Sequence, residues 1–150
     1  MTTFRRAERL DLDVIVRLLA DDPLGAGREA PGEPLDPRYL AAFEAIDRDA
    51  NQLLLVAEEA GEVVGCLQLT FIPGVTRAGM WRGQIEGVRI AASQRGRGLG
   101  RKLFLHAIER CRARGCGLVQ LTTDASREDA HGFYEALGFI PSHVGMKLAL

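Results

Sequence analysis

The chain has 150 residues, 47% hydrophobic and 26% charged, with 17 glycines and 6 prolines, the profile of one compact domain that can build its own core. No run approaches the ~20 apolar residues that span a bilayer, the polar, arginine-bearing start Met1–Arg9 argues against a secretory signal, and the apolar content argues against disorder. The net charge of −1 hides an asymmetry, because residues 1–75 carry 14 acidic and 7 basic side chains while residues 76–150 carry 6 and 12; solvated surface explains this, and so does a pair of partners of opposite charge.

Thr3–Ala7 reads as a short strand, and Asp11–Ala20 as a helix with Leu12, Ile15, Val16 and Leu19 on one face. Asp11 and Asp13 suit the positive end of its dipole. Residues 23–37 hold four of the six prolines and form a long loop, of the kind that is functional or disordered. A second helix follows Pro37, with Tyr39, Leu40, Phe43 and Ile46 on its apolar side. Leu53–Ala57 and Val63–Ile72 flank the turn Glu59–Glu62 and read as a hairpin. Trp81–Ala91 is a third long strand. Leu99–Arg114 is a helix that Gly115 ends, and Leu118–Thr123 is a strand. A helix then runs from Ser126 or Arg127 to Leu137, and Val144–Leu150 is a last strand. The predicted order is β-α-α-β-β-β-α-β-α-β. The fold class is mixed α/β (α+β), with an antiparallel first part of the sheet and a β-α-β unit over 81–123.

Cys66, Cys111 and Cys116 are an odd number without a His/Cys cluster at ligand spacing, so neither a zinc site nor a disulfide framework is expected, and reduced cytoplasmic thiols are. The densest chemical signal is Gln94-Arg95-Gly96-Arg97-Gly98-Leu99-Gly100-Arg101-Lys102. It follows a strand and opens a helix, whose first N–H groups lack intrahelical acceptors. Glycines there admit a phosphate to the backbone, and the basic side chains add charge. The spacing G-x-G-x-G is not the dinucleotide pattern G-x-G-x-x-G, and it is not a P-loop. A pyrophosphate site and a tight turn with solvated arginines are the readings that remain.

Arg95-Gly96-Arg97-Gly98-Leu99-Gly100 also matches the [QR]-x-x-G-x-[GA] signature of the GCN5-related N-acetyltransferases. Ile85-Glu86-Gly87-Val88-Arg89-Ile90 resembles the family's preceding strand, and Ala130-His131-Gly132-Phe133-Tyr134-Glu135-Ala136-Leu137-Gly138-Phe139 resembles its A-x-x-F-Y-x-x-x-G-F segment. The resemblance covers nearly the whole chain. It implies a single-domain fold (residues 1–150) with a mostly antiparallel sheet, splayed at a central β-α-β coenzyme A site and flanked by helices. It further implies acetyl transfer from acetyl-coenzyme A to a primary amine without a metal. A small-molecule acceptor is expected. A protein lysine or N-terminus as acceptor, and a coenzyme A sensor without turnover, are the alternatives.

By the same resemblance Tyr134 is the acid to the departing thiolate, and a phenol is protonated at neutral pH as that role requires. A core tyrosine is its bland counterpart. Glu86 is the candidate base, ahead of Asp124. Gly87 marks a bulge that opens the strand, leaving the backbone of Val88 and Ile90 to pair with pantetheine and acetyl, with the Val88 N–H as oxyanion donor. Val88, Arg89, Ile90, Arg95, Gly96, Arg97, Gly98, Leu99, Gly100, Arg101, Thr123, Phe133 and Tyr134 form the expected coenzyme A site. Arg127 stands where the family often has Asn, which removes one common pantetheine contact and offers a cation for a phosphate instead. Trp81 lines the acceptor pocket or belongs to a core or interface. The three histidines are expected on the surface or in helix packing. No nucleic acid or membrane partner is expected, and the resemblance leaves room for a homodimer. The acidic half holds the helices and loop that would face an amine cation.

Overall fold

A computed structural model describes residues 1–150. Its strands are β1 (Thr2–Arg6), β2 (Gln52–Glu59), β3 (Glu62–Ile72), β4 (Arg82–Ile90) and β5 (Leu118–Gln120). Its helices are α1 (Leu12–Ala20), α2 (Pro37–Asp47), α3 (Thr76–Gly79, a single left-handed turn), α4 (Leu99–Ala113) and α5 (Glu128–Ala136). The sheet order is β1-β2-β3-β4-β5, antiparallel except for the parallel β4–β5 pair. This is the expected mixed architecture. No helix is long and apolar enough to cross a membrane.

The unbroken apolar run Leu53–Val56 follows from covering both faces of the sheet. Leu53 and Leu55 join Leu67, Leu69 and Ile85 under Leu103, Phe104 and Cys111 of α4. Leu54 and Val56 join Cys66 on the opposite face, under Leu12, Ile15 and Leu18 of α1 and Phe43 of α2. Each such aliphatic side chain contributes roughly 1.5–3 kcal/mol when fully buried. The α4 seam is tight at Gly83, where a Cβ would overlap the Cys111 sulfur. The loop 23–37 is anchored near its start and at its middle. A Cβ on Gly25 would strike the Leu19 carbonyl, and the Tyr39 hydroxyl donates to Glu29 and accepts from the Ala30 N–H.

Two expectations need correction. β5 ends at Gln120 rather than Thr123, because β4 diverges from it beyond Gln84, which pairs with Gln120. Val144–Leu150 does not pair as a strand. The segment after Phe139 joins no ladder, and its side chains stand in solvent. Alternating apolar residues gave it the pattern of a strand, but the fold offers it no neighbouring strand within the same chain.

Candidate active site

The site grows from one irregularity in β4. Cys66 of β3 faces Arg89, and Gln68 faces Glu86, so β4 carries one residue more than β3 across this stretch. Gly87 absorbs the bulge with φ 62°, a left-handed conformation that glycine tolerates best. The inserted residue places Glu86 and Arg89, three positions apart, on the same face as Cys66, under α1 and α2. Val88 and Ile90 turn to the α4 face and pack on its core. Leu19 of α1 lies over the bulge, 3.8 Å from where a Gly87 Cβ would stand.

Beyond Gln84 the ladder to β5 ends, and β4 runs on through Val88 and Ile90 with β3 as its one neighbouring strand. The resulting gap opens toward the glycine-rich turn. Gly96 and Gly98 are left-handed at φ 78° and 80°, with open space where side chains would project. Gly98 caps α4, so the first N–H groups of that helix face out of the turn. Gly100 lets the helix approach Ile90 and Phe133 closely, at 3.8 and 3.7 Å from its Cβ position, while Leu99 is buried against Ala57 and Val64. The basic side chains are distributed less simply than their sequence suggests. Arg95 reaches back to Asp21 at 3.5 Å, Arg97 meets Gln94, and Arg101 is exposed on the first turn of α4.

Tyr134 sits on the other side of the gap. Its ring is wedged among Phe104, Phe133 and Phe139, with centroids 5.6, 5.6 and 6.2 Å away. Burial pushes the phenol pKa above its ordinary value, and this outweighs the opposing pull of Arg127, Thr123 and Arg89. The Thr123 hydroxyl is near enough to exert that pull, yet its Oγ1 makes no hydrogen bond of full geometry. The phenol is therefore neutral at pH 7. Glu86 is exposed on the α1/α2 face, opposite Gln68. The chain thus presents a phenol and a carboxylate near a stretch of strand that pairs with β3 and has no partner on its β5 side.

One participant had no signal in the sequence and lies just ahead of the proline-rich loop 23–37. Asp22, immediately after α1, accepts from Arg89 at 3.0 Å, from Arg127 at 2.8 Å and from the Gly25 N–H. Burial alone would raise the Asp22 pKa, but these donors together leave it below the ordinary carboxylate value. This cluster ties the segment after α1 to β4 and to the start of α5. Arg127, expected to offer a cation for a phosphate, is engaged by a carboxylate. Asp124 bonds Ser126 instead of facing the bulge. Trp81 lies ahead of β4, at the end remote from Gly87, and is partly exposed rather than core. His106 stacks on Phe4 at 4.8 Å, a packing role. Cys66 is buried, and burial pushes its thiol up to about 12, which keeps it a protonated, unreactive core thiol.

Residues 14–139 match the model of the acetyltransferase (GNAT) family. A glucosamine 6-phosphate N-acetyltransferase of Trypanosoma brucei brucei is 34% identical over 93% of this chain and 97% of its own. An aminoalkylphosphonate N-acetyltransferase of Salmonella typhimurium is 34% identical over 72% of this chain and 70% of its own. Among solved structures, a protein of Bacillus halodurans C-125 described as a transcriptional regulator is 49% identical and superposes with a TM-score of 0.97 over 100% of both chains.

Proposed function

The chain belongs to the acetyltransferase (GNAT) family, and from that premise we infer that it transfers acetyl from acetyl-coenzyme A to the primary amine of a small molecule, by direct attack in a ternary complex. The observation that carries this reading is the opened strand. Val88 and Ile90 present backbone groups to a gap that no other strand fills, Glu86 stands on one side of it and Tyr134 on the other.

The glycine-rich turn holds the pyrophosphate through the N–H groups ahead of α4, with Arg97 and Arg101 supplying charge. Val88 and Ile90 pair with the pantetheine arm as an added strand would, and the Val88 N–H donates to the carbonyl oxygen as negative charge develops there. Glu86, through water, accepts the proton that the ammonium loses. Tyr134 donates its proton to the sulfur as the C–S bond breaks. Thr123 and Phe133 line the same wall. Asp22 holds the loop 23–37 against this cleft, and that loop carries acceptor specificity.

The relatives named for phosphate- or phosphonate-bearing amines support an acceptor with an anionic group. Arg89 and Arg127 carry one positive charge more than Asp22 offsets, which gives that group a place to dock. The description of the Bacillus protein favours one other reading, a coenzyme A sensor without turnover; a neutral phenol and an exposed carboxylate at the opened strand favour turnover. Thiol release from acetyl-coenzyme A across a panel of amines, with and without an anionic group, tests the assignment. Acceleration by small anionic amines is expected. Tight coenzyme A binding with no acceleration by any amine or peptide would establish the sensor reading instead.

A further inference from the structure

The end of α4 carries two thiols that acetyl transfer leaves unused. The sequence there is Cys111-Arg112-Ala113-Arg114-Gly115-Cys116. α4 ends at Ala113, and Gly115 follows in the left-handed conformation at φ 80°. Two hydrogen bonds close the end. The Gly115 N–H donates to the Arg112 carbonyl and the Cys116 N–H to the Cys111 carbonyl, each at 3.0 Å. This nested pair is the Schellman motif, which brings the third residue from the helix end against the second residue beyond its cap. Both of those positions are cysteine.

The 3.0 Å bond between the two backbones holds the cysteine Cα atoms within about 7 Å, the span a disulfide can bridge. The side chains face each other as well, because the two thiols hydrogen-bond. Their surroundings differ. Cys111 is 1% exposed, in the core against Gly83, while Cys116 is partly open to water. Burial raises both thiols, Cys111 to about 12, but the S–H that Cys111 donates and the Arg114 cation oppose the rise at Cys116. Cys116 is thus the thiol of the pair that ionises first, with its partner holding a proton beside it. Cys66 differs, since its thiol donates to the Gly87 carbonyl at 3.6 Å.

We propose that Cys111 and Cys116 are a redox-active pair, oxidised to an intramolecular disulfide by a low-molecular-weight disulfide and restored by a thiol. The Cys116 thiolate attacks one sulfur of the small disulfide, forming a mixed disulfide and expelling one small thiolate. Cys111 then gives its proton to solvent and attacks the Cys116 sulfur, expelling the second small thiolate. The chain loses two protons and two electrons, and the small disulfide gains them as two free thiols. Contact between the two cysteines makes the second attack intramolecular and favours it over loss of the adduct. Helix ends open locally at low free-energy cost, which frees the Cys111 sulfur to turn toward its partner. The product ties the last turn of α4 to the entry of β5, at the opposite end of α4 from the glycine-rich turn.

The reduced, folded chain incubated with glutathione disulfide, then alkylated in denaturant and mapped by peptide mass spectrometry, tests this without reference to activity. The expected product links Cys111 to Cys116, is two hydrogens lighter, carries no glutathione and reverts with dithiothreitol, while Cys66 stays free. Cys111→Ala should halt the reaction at a glutathione adduct on Cys116. Cys116→Ser should leave Cys111 modified more slowly than that adduct forms, by about tenfold or more. Circular dichroism checks that each variant is folded, and where Cys111→Ala is not, the wild-type map and the partly exposed Cys116→Ser decide. Free Cys111 and Cys116 in the treated wild type would overturn the proposal. So would a lasting glutathione adduct on wild-type Cys116, or modification of Cys111 at the same rate with and without Cys116.

Discussion

Replacing Tyr134 with Phe removes one oxygen and little else. The ring keeps its place between Phe104, Phe133 and Phe139, so no cavity forms. The lost hydroxyl has only the imperfect Thr123 contact, so stability should change by less than ~1 kcal/mol, a Tm shift of at most roughly 4 °C for a chain of this size. Catalysis should suffer far more. A positioned general acid contributes about 10²- to 10⁴-fold, equivalent to about 3–5 kcal/mol of barrier. Thiol release monitored at saturating amine should show that loss in kcat, with the affinity for coenzyme A unchanged by calorimetry. The pH profile supplies a second signature. The acid works while protonated, and burial sets its pKa above 10.0, so wild-type turnover should hold through neutral pH and fall only as pH passes that raised value. The Phe variant should lack this alkaline limb. An unchanged kcat, or an identical alkaline limb, would remove Tyr134 from the mechanism.

Glu86→Gln should lower turnover and weaken its rise with pH, without affecting coenzyme A binding; an unaltered pH profile would assign proton removal to water alone. Gly98→Ala forces a Cβ into a left-handed residue with open surroundings. It should cost about 1–2 kcal/mol and raise the KM for acetyl-coenzyme A more than it lowers kcat. Gly83→Ala should destabilise by about 1–3 kcal/mol through overpacking against Cys111, measured by denaturant midpoint, and leave the KM values unchanged. Asp22 has a depressed pKa in the folded chain. Its contribution to stability is therefore present above the ordinary carboxylate pKa of ~3.9 and lost as pH falls through the depressed value. Asp22→Asn should flatten the acid side of the stability profile, and an unchanged profile would show that the Arg89–Asp22–Arg127 cluster contributes nothing.

The legible parts of this protein were those whose signal is local. Leu53–Ala57 and Val63–Ile72 carry their apolar pattern and their turn with them, and Gly87 announces a bulge because a lone glycine inside a strand has few other uses. The turn from Gly96 to Gly100 is legible for the same reason, since two left-handed residues beside a helix start demand glycine. Asp22 was not legible. Its partners lie 67 and 105 positions away in the chain, and no local pattern marks a carboxylate that bridges a loop, a strand and a helix. The misread segment, Val144–Leu150, has the local pattern of a strand, but a strand also needs a neighbour. Sequence periodicity shows which face is apolar and says nothing about which chain supplies the other side. The split charge resolves partly. The basic half contains the turn, but Arg95, Arg89 and Arg127 are drawn to Asp21 and Asp22 of the acidic half, so some of the asymmetry joins the two halves at the cleft.

The central claim is that acetyl passes directly from acetyl-coenzyme A to an amine held at the opened strand. Mass spectrometry of the protein and of the small molecules, after incubation with acetyl-coenzyme A and an aminoalkyl phosphonate, tests it most directly. The account predicts an unmodified protein and an acetylated amine in equal amount to the free coenzyme A. Acetyl retained on the protein, or bound coenzyme A with no amine acetylated, would contradict it.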